Sequence, residues 1–319
     1  MNGRLRGAIS CLVVALMCFL LVDHLCAQGT VKGKQRSKKP SPAVKATVPA
    51  DTTSRADDQR KQTAPAAQAA DTTHKPPPPA PFEYRTVSNH AFSVGERLTF
   101  DISYGFITAG EAVMAIPSYE DIMGRRCFRV EFTVNSLSSF NWIYKVDDHY
   151  LTFIDIQSIA PLRFEQHIRE GSYSRDFSAD FDQVDHIAKT TEGQHPIPPY
   201  VLDIMSAFYY FRTLDLSAAK TGDIFTLNNF YKDTTYELGV RVLGRQELEV
   251  TAGTFKTIVV EPLVKEGGLF KSEGRIVIWL TDDDVKIPVR VNTKVVIGSI
   301  DTELSGYSGL CGPLRSRIK

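Results

Sequence analysis

Gly-Arg-Ile-Val-Ile-Trp-Leu at 274–280, Thr-Asp-Asp-Asp-Val at 281–285, Lys-Ile-Pro-Val-Arg-Val at 286–291 and Ile-Gly-Ser-Ile-Asp-Thr-Glu-Leu at 297–304 follow one another near the C-terminus. The first piece is an apolar β run and the acidic piece is a turn. Ile287, Val289 and Val291 then alternate with Lys286, Arg290 and Asn292. Ile300, Thr302 and Leu304 alternate with Asp301, Glu303 and Ser305 in the same way. A period of two marks a strand with one wet face and one dry face. The stretch therefore reads as antiparallel sheet closing a domain.

The same pattern recurs upstream. Leu98, Phe100, Ile102, Tyr104 and Phe106 share one parity, as do Phe128, Val130, Phe132 and Val134. Phe140, Trp142, Tyr144 and Val146 continue it and read as another strand. Leu162–Ile168 and Tyr173–Phe181, separated by Glu170-Gly171-Ser172, read as a hairpin. Thr251-Ala-Gly-Thr254 joins two further strands. About a dozen strands at this spacing predict a mainly β fold, a curved antiparallel sheet that is barrel-like or a sandwich. One helix interrupts it. After Pro196, Pro198 and Pro199, the residues Val201, Ile204, Met205 and Phe208 recur at helical spacing, so a central helix is expected near 200–214, with Asp203 in its first turns.

Ahead of this domain lie two segments of other character. Arg4 and Arg6 precede an apolar run from Ile9 to Val22, and Leu25-Cys26-Ala27 offers a small residue for cleavage. Residues 1–27 read as a secretory signal peptide cut at Ala27–Gln28. A retained anchor and a lipoprotein on Cys26 are the alternatives, although Asp23, His24 and Leu25 fit a lipobox poorly. Residues 28–81 hold Pro, Ala, Thr, Lys, Gln and Asp, with no aromatic before Phe82. Such a stretch buries too little to offset its ordering entropy and reads as a disordered linker with a reach of about 40 Å, dispensable for folding. A single domain is expected over 82–310, with 311–319 as a tail.

The totals exclude several functions. The 319 residues carry 37 basic and 37 acidic side chains, a balance that argues against a nucleic-acid partner. Of five cysteines, only Cys127 and Cys311 fall in the domain, and they are either a disulfide or two free thiols. No Cys-x-x-Cys, P-loop, Gly-x-Ser-x-Gly or His-Glu-x-x-His occurs. Ser217-Ala-Ala-Lys220 overlaps Lys220-Thr-Gly222, whereas the enzymes that use both motifs bring them from distant elements. Asp282-Asp283-Asp284 lacks the glycine and distal glutamate of an EF-hand and reads as a turn capping its own backbone. Asp147-Asp148-His149 reads as a solvated turn, with a metal or proton-relay role as the alternative. No catalytic residue, metal or cofactor is assigned.

Gly95-Glu-Arg-Leu-Thr-Phe-Asp-Ile102, with Ala109-Gly110 after it, resembles the opening of an exported bacterial family, domain of unknown function 3108. Asp203–Arg212, Gly253-Thr-Phe-Lys256, Glu261-Pro262, Ile278–Asp283, Ile287–Val289 and Ile297–Ile300 are similar to its later segments, so the resemblance spans roughly 92–305. It implies an exported β-rich protein and carries no catalytic residues across.

The remaining candidates are aromatic. Phe140, Trp142, Tyr144, Tyr209, Tyr210 and Trp279, with Phe211, are either ordinary core or the lining of an apolar cavity inside a curved sheet. The expectation is a non-enzymatic periplasmic or envelope protein. Its domain would bind a lipid-like apolar or amphipathic molecule, or an envelope component, with no permanent membrane span after signal cleavage. An assembly factor holding another envelope protein is one alternative. A hydrolase of envelope polymer using Asp147, Asp148 or His149 is the other.

Overall fold

A computed structural model describes residues 82–231, 233–263, 275–295 and 298–319. The expected leader and linker lie outside them. Strands β1 (Arg97–Tyr104), β2 (Ile107–Ile122), β3 (Arg125–Ser136), β4 (Asp147–Asp155), β5 (Pro161–Glu170), β6 (Tyr173–Asp182), β7 (Ile187–Thr190) and β8 (Gly193–Pro196) form one antiparallel meander. Helix α1 (Ile204–Thr213) follows. A second meander comprises β9 (Ile224–Tyr231), β10 (Thr234–Val250), β11 (Gly253–Leu263), β12 (Ile276–Thr281), β13 (Pro288–Lys294) and β14 (Ser299–Ser308). β1 pairs with β14, so both meanders join into a single 14-stranded sheet with β8 and β9 as its edges.

The alternation read from the sequence decides which side is dry. Leu98 and Phe100 of β1 lie across from Met114 and Ala112 of β2, Phe100 and Ile102 lie across from Leu304 and Thr302 of β14, and all are buried. Val130, Phe132 and Val134 carry the same face into β3, and Ile276, Ile278 and Leu280 carry it into β12. This is the inner face of a curved, unclosed sheet. Register breaks between Ala115 and Ser118, and between Trp279 and Leu280, help bend it, because an extra residue on one strand sharpens the local twist. Pro117 occupies the first of these breaks, where its missing N–H costs no ladder bond.

The two edges approach each other without a continuous ladder between them. Leu202 forms a parallel bridge with Asn229 on β9, donating to Asn228 O at 2.9 Å and accepting from Phe230 N at 2.8 Å. On the other side Tyr200 N donates to Gln183 Oε1 at 2.9 Å and Ile197 N to His186 O at 2.9 Å. Phe181 of β6 meets Phe230 of β9 edge-to-face at 5.6 Å. The residues leading into α1 thus fill the seam.

α1 lies against the inner face. Its N-cap is Asp203, just outside the first turn, accepting from Met205 N and Ser206 N. Ile204, Met205, Ala207, Tyr209, Phe211 and Arg212 are all buried, as suits a helix with apolar surface on most sides. Thr152 Oγ1 of β4 donates to Asp203 Oδ2 at 2.7 Å and holds the helix start. At the other end Arg212 donates to both carboxylate oxygens of Glu96, and to Val285 O and Ala91 O.

One expectation is revised, the choice left open at the cysteines is settled, and the C-terminal tail is packed. The stretch Phe140–Tyr144 is a turn, with Phe140 N bonded to Leu137 O and Ile143 N to Phe140 O, so its alternation is not that of a strand. Cys127 is buried and Cys311 exposed, and both are free thiols. The C-terminal residues do not dangle: Arg317 bridges Phe255 at the start of β11, and Ser316 O accepts from Lys256 N at 2.8 Å.

Candidate functional site

Placing a capped helix on an apolar concave floor leaves space beside it. A cavity of about 80 Å³ lies between α1 and the sheet. Phe100, Met114 and Phe132 form its floor from β1, β2 and β3, and Ile204, Met205 and Phe208 form its roof. Ile278, Pro288, Val291 and Thr302 complete the walls, so among the described lining residues Thr302 alone supplies a side-chain hydroxyl. A smaller void of about 20 Å³ continues past Phe208 and Ile278 toward Phe211, Leu227 and Leu238. A third, of about 30 Å³, begins at Ile204 and runs to Gln166, Arg175 and Asp203. The three spaces share α1 residues and form an interrupted apolar trough with one polar end.

An apolar cavity of about 150 Å³ is enough to hold benzene, so no one of these spaces takes more than a few atoms as it stands. The divider is Phe208, which is only half-buried, beside the unbranched Met205 and Met114. Such side chains change rotamer at little cost. Phe208 and Ile278 line both the first void and the second.

A second constellation is polar. Asp148 of β4 and Glu170 of β5 are each 1% exposed and lie close enough for their carboxyl groups to influence each other. Asp148 Oδ1 also accepts from Arg169 N at 2.7 Å, and Tyr144 OH donates to Glu170 Oε2 at 3.4 Å. Burial and the neighbouring Asp148 charge push Glu170 up to about 8, and burial raises Asp148 as well. Two carboxyls sharing one site keep a proton between them near neutrality. Asp148 is therefore not part of a solvated turn. Glu170 escaped the sequence reading, although it continues the buried parity of Phe164, Gln166 and Ile168 on β5.

The aromatic candidates do not converge. Trp142 is 83% exposed and Phe140 sits beside it in the β3–β4 loop. Tyr144 lies on Gly171, where an added Cβ would meet its ring at 2.9 Å. Tyr209 is fully buried against Phe92 at 4.8 Å and Arg212 at 5.1 Å. Tyr210 is half-buried beneath the Arg85 guanidinium at 4.7 Å. Trp279 points to the outer face, since Ile278 and Leu280 take the inner one, and Arg290 lies 5.9 Å from its ring. None of these six lines the apolar trough, and only Phe211 of the wider set does. The acidic turn holds itself: Asp283 Oδ1 accepts from Thr281 Oγ1 and Lys286 N, and Asp282 pairs with Arg245.

Among the described residues no helix is long and apolar enough to cross a membrane. No curated protein matches the chain. Three of the solved structures that match are similar in part. A beta-barrel-like protein of domain of unknown function DUF1849 from Brucella abortus matches 67% of this chain and 97% of its own, at 11% identity and TM-score 0.44. A candidate exported protein with YmcC-like fold from Bacteroides fragilis matches 71% and 100%, at 11% identity and TM-score 0.29. A hypothetical protein from Chlamydia trachomatis matches 71% and 92%, at 10% identity and TM-score 0.31. The family described as Protein of unknown function (DUF3108) matches residues 99–305, which run from β1 into β14, and the chain belongs to that family.

Proposed function

We propose that this is an exported envelope protein whose domain holds an apolar or amphipathic molecule between α1 and the inner face of the sheet, without catalysis. The observation that carries the reading is the trough itself. It is lined by hydrocarbon, divided by one half-buried phenylalanine and bounded at one end by Gln166, Arg175 and Asp203. Ligand sites are concave and mostly apolar, with a few polar groups fixing orientation. An acyl chain with a polar head matches that distribution. The leader-like Ile9–Val22 run supports export. The carboxyl pair lines none of these voids and serves the fold on this reading.

The test uses cis-parinaric acid, a fluorescent fatty acid, with the exported chain. Saturable binding is expected. Phe208→Ala, which removes the divider, should strengthen it. Val291→Trp, which fills the first void, should weaken it with the melting temperature held. Absence of saturable binding in both the wild type and Phe208→Ala sinks the proposal.

A further inference from the structure

The strand register gathers two loops at one end of the sheet. β1 and β2 turn at Gly105-Phe106, with Tyr104 opposite Ile107. β3 and β4 are joined by residues 137–146, and this loop starts next to the turn because Leu137 N donates to Ala109 O at 2.9 Å. Phe106 is 97% exposed and Trp142 83%. Ile107, Leu137 and Ile143 around them are exposed as well. A side chain this apolar and this bare is a cost in water unless something else covers it.

The chemistry of the cover can be read from the loop's own hydrogen bonds. Phe140 N donates to Leu137 O, Asn141 N to Ser138 O, Ile143 N to Phe140 O and Tyr144 N also to Phe140 O. The Trp142 indole N–H donates to Ser139 O at 2.9 Å. Asn141 Oδ1 accepts from Ser136 Oγ at 2.6 Å. The loop has thus satisfied these donors internally while leaving its apolar side chains bare. A protein partner could supply hydrogen bonds at such a site, whereas the acyl region of a bilayer supplies none. Trp is also the side chain most suited to the membrane–water boundary. The two side chains stand on separate loop tips, a form suited to insertion into a plane. Charge adds little: Lys145, 61% exposed within the loop, lies 3.5 Å from the Asp147 carboxylate that offsets it. Export by way of the Ile9–Val22 leader brings the domain to an envelope membrane surface.

We propose that the β1–β2 turn and the β3–β4 loop dock on a phospholipid bilayer, with Phe106 and Trp142 seated at the boundary between headgroups and acyl chains. The docking does not require the trough to hold a ligand, and it rests on the export reading only for access to an envelope membrane.

The experiment adds vesicles of phosphatidylethanolamine and phosphatidylglycerol to the exported chain and follows tryptophan emission. The chain has two tryptophans, and half-buried Trp279 serves as a constant background. Emission should shift to the blue and be quenched by lipids brominated near the headgroup. Phe106→Ser and Trp142→Ser, compared with the wild type by co-sedimentation with the vesicles, should each weaken partitioning by about tenfold, the factor for losing one seated aromatic. Both positions are exposed, so melting temperatures should not move. High salt should leave binding largely intact, because apolar contact drives it. Unchanged emission at millimolar lipid overturns the proposal. Binding that survives both serine variants, or that salt abolishes, also overturns it by pointing to the lysines of the linker. A dimer in sedimentation that the same variants dissolve would make a second copy the occupant and overturn it too.

Discussion

Arg212 and Glu96, 116 residues apart in sequence, meet in a two-pronged ion pair with both bonds at 2.7 Å and both side chains fully buried. The pair fastens the last turn of α1 to the start of β1, and Phe92 and Tyr209 pack around the guanidinium. Taking one partner away leaves a bare charge in a dry site, which costs about 3–5 kcal/mol. Glu96→Gln is therefore expected to lower the denaturant midpoint by a large part of total stability. Arg212→Met with Glu96→Leu should recover some of the loss but not all, since Val285 O and Ala91 O then lack their donor. A double variant no more stable than Glu96→Gln alone would contradict this.

Glu170 predicts a pH dependence of definite sign. Its folded value, pushed up to about 8 by burial and by Asp148, lies above its value of 4.5 when unfolded. The folded chain therefore binds more protons across that window. The stability this group contributes is full below the unfolded value and is lost as pH rises through about 8. Each unit inside the window removes at most about 1.4 kcal/mol. Denaturant midpoints between those limits should fall with pH in the wild type. In Glu170→Gln the slope should flatten, and superimposable curves for the two proteins would refute the assignment.

Trp279→Ala should cost less than its place in an apolar run suggests. The side chain is half-buried on the outer face, beside Arg290 and directly across from Val259. Full removal of a buried aromatic costs about 3–5 kcal/mol, and a half-covered one about half of that. A denaturant midpoint lowered by the full amount would place Trp279 in the core. A change confined to ligand retention would place it at the trough.

Strand existence was legible because one-sided burial imposes a period of two, as in Leu98–Ile102 and Ile300–Leu304. The hairpin at Gly171 and the helix were legible from turn and spacing signals, and the structure places that helix at Ile204–Thr213. Phe140–Val146 misled, because i→i+3 bonds in a loop leave no trace in alternation. Asp148 and Glu170 could be joined only once the β4–β5 register was known, and Arg212 and Glu96 only once α1 had a place. The trough is built from Phe100, Met114, Phe132 and Phe208, side chains indistinguishable in sequence from any other core. A cavity is a property of how elements fail to fill space, and no residue type announces it.

The β1–β14 ladder has a consequence for the growing chain. Arg97 pairs with Ser308 and Tyr104 with Ile300, so the first strand of the domain waits for the last. Among the described strands every other pairing joins neighbours in sequence and can form as soon as both strands have emerged. Until residue 308 is made, β1 presents a full row of unpaired backbone groups in what will become the middle of the sheet. Such a row is the most adhesive surface a β protein can show. The half-made chain is therefore at its most vulnerable just before completion, and a chain cut short within β14 stays in that state.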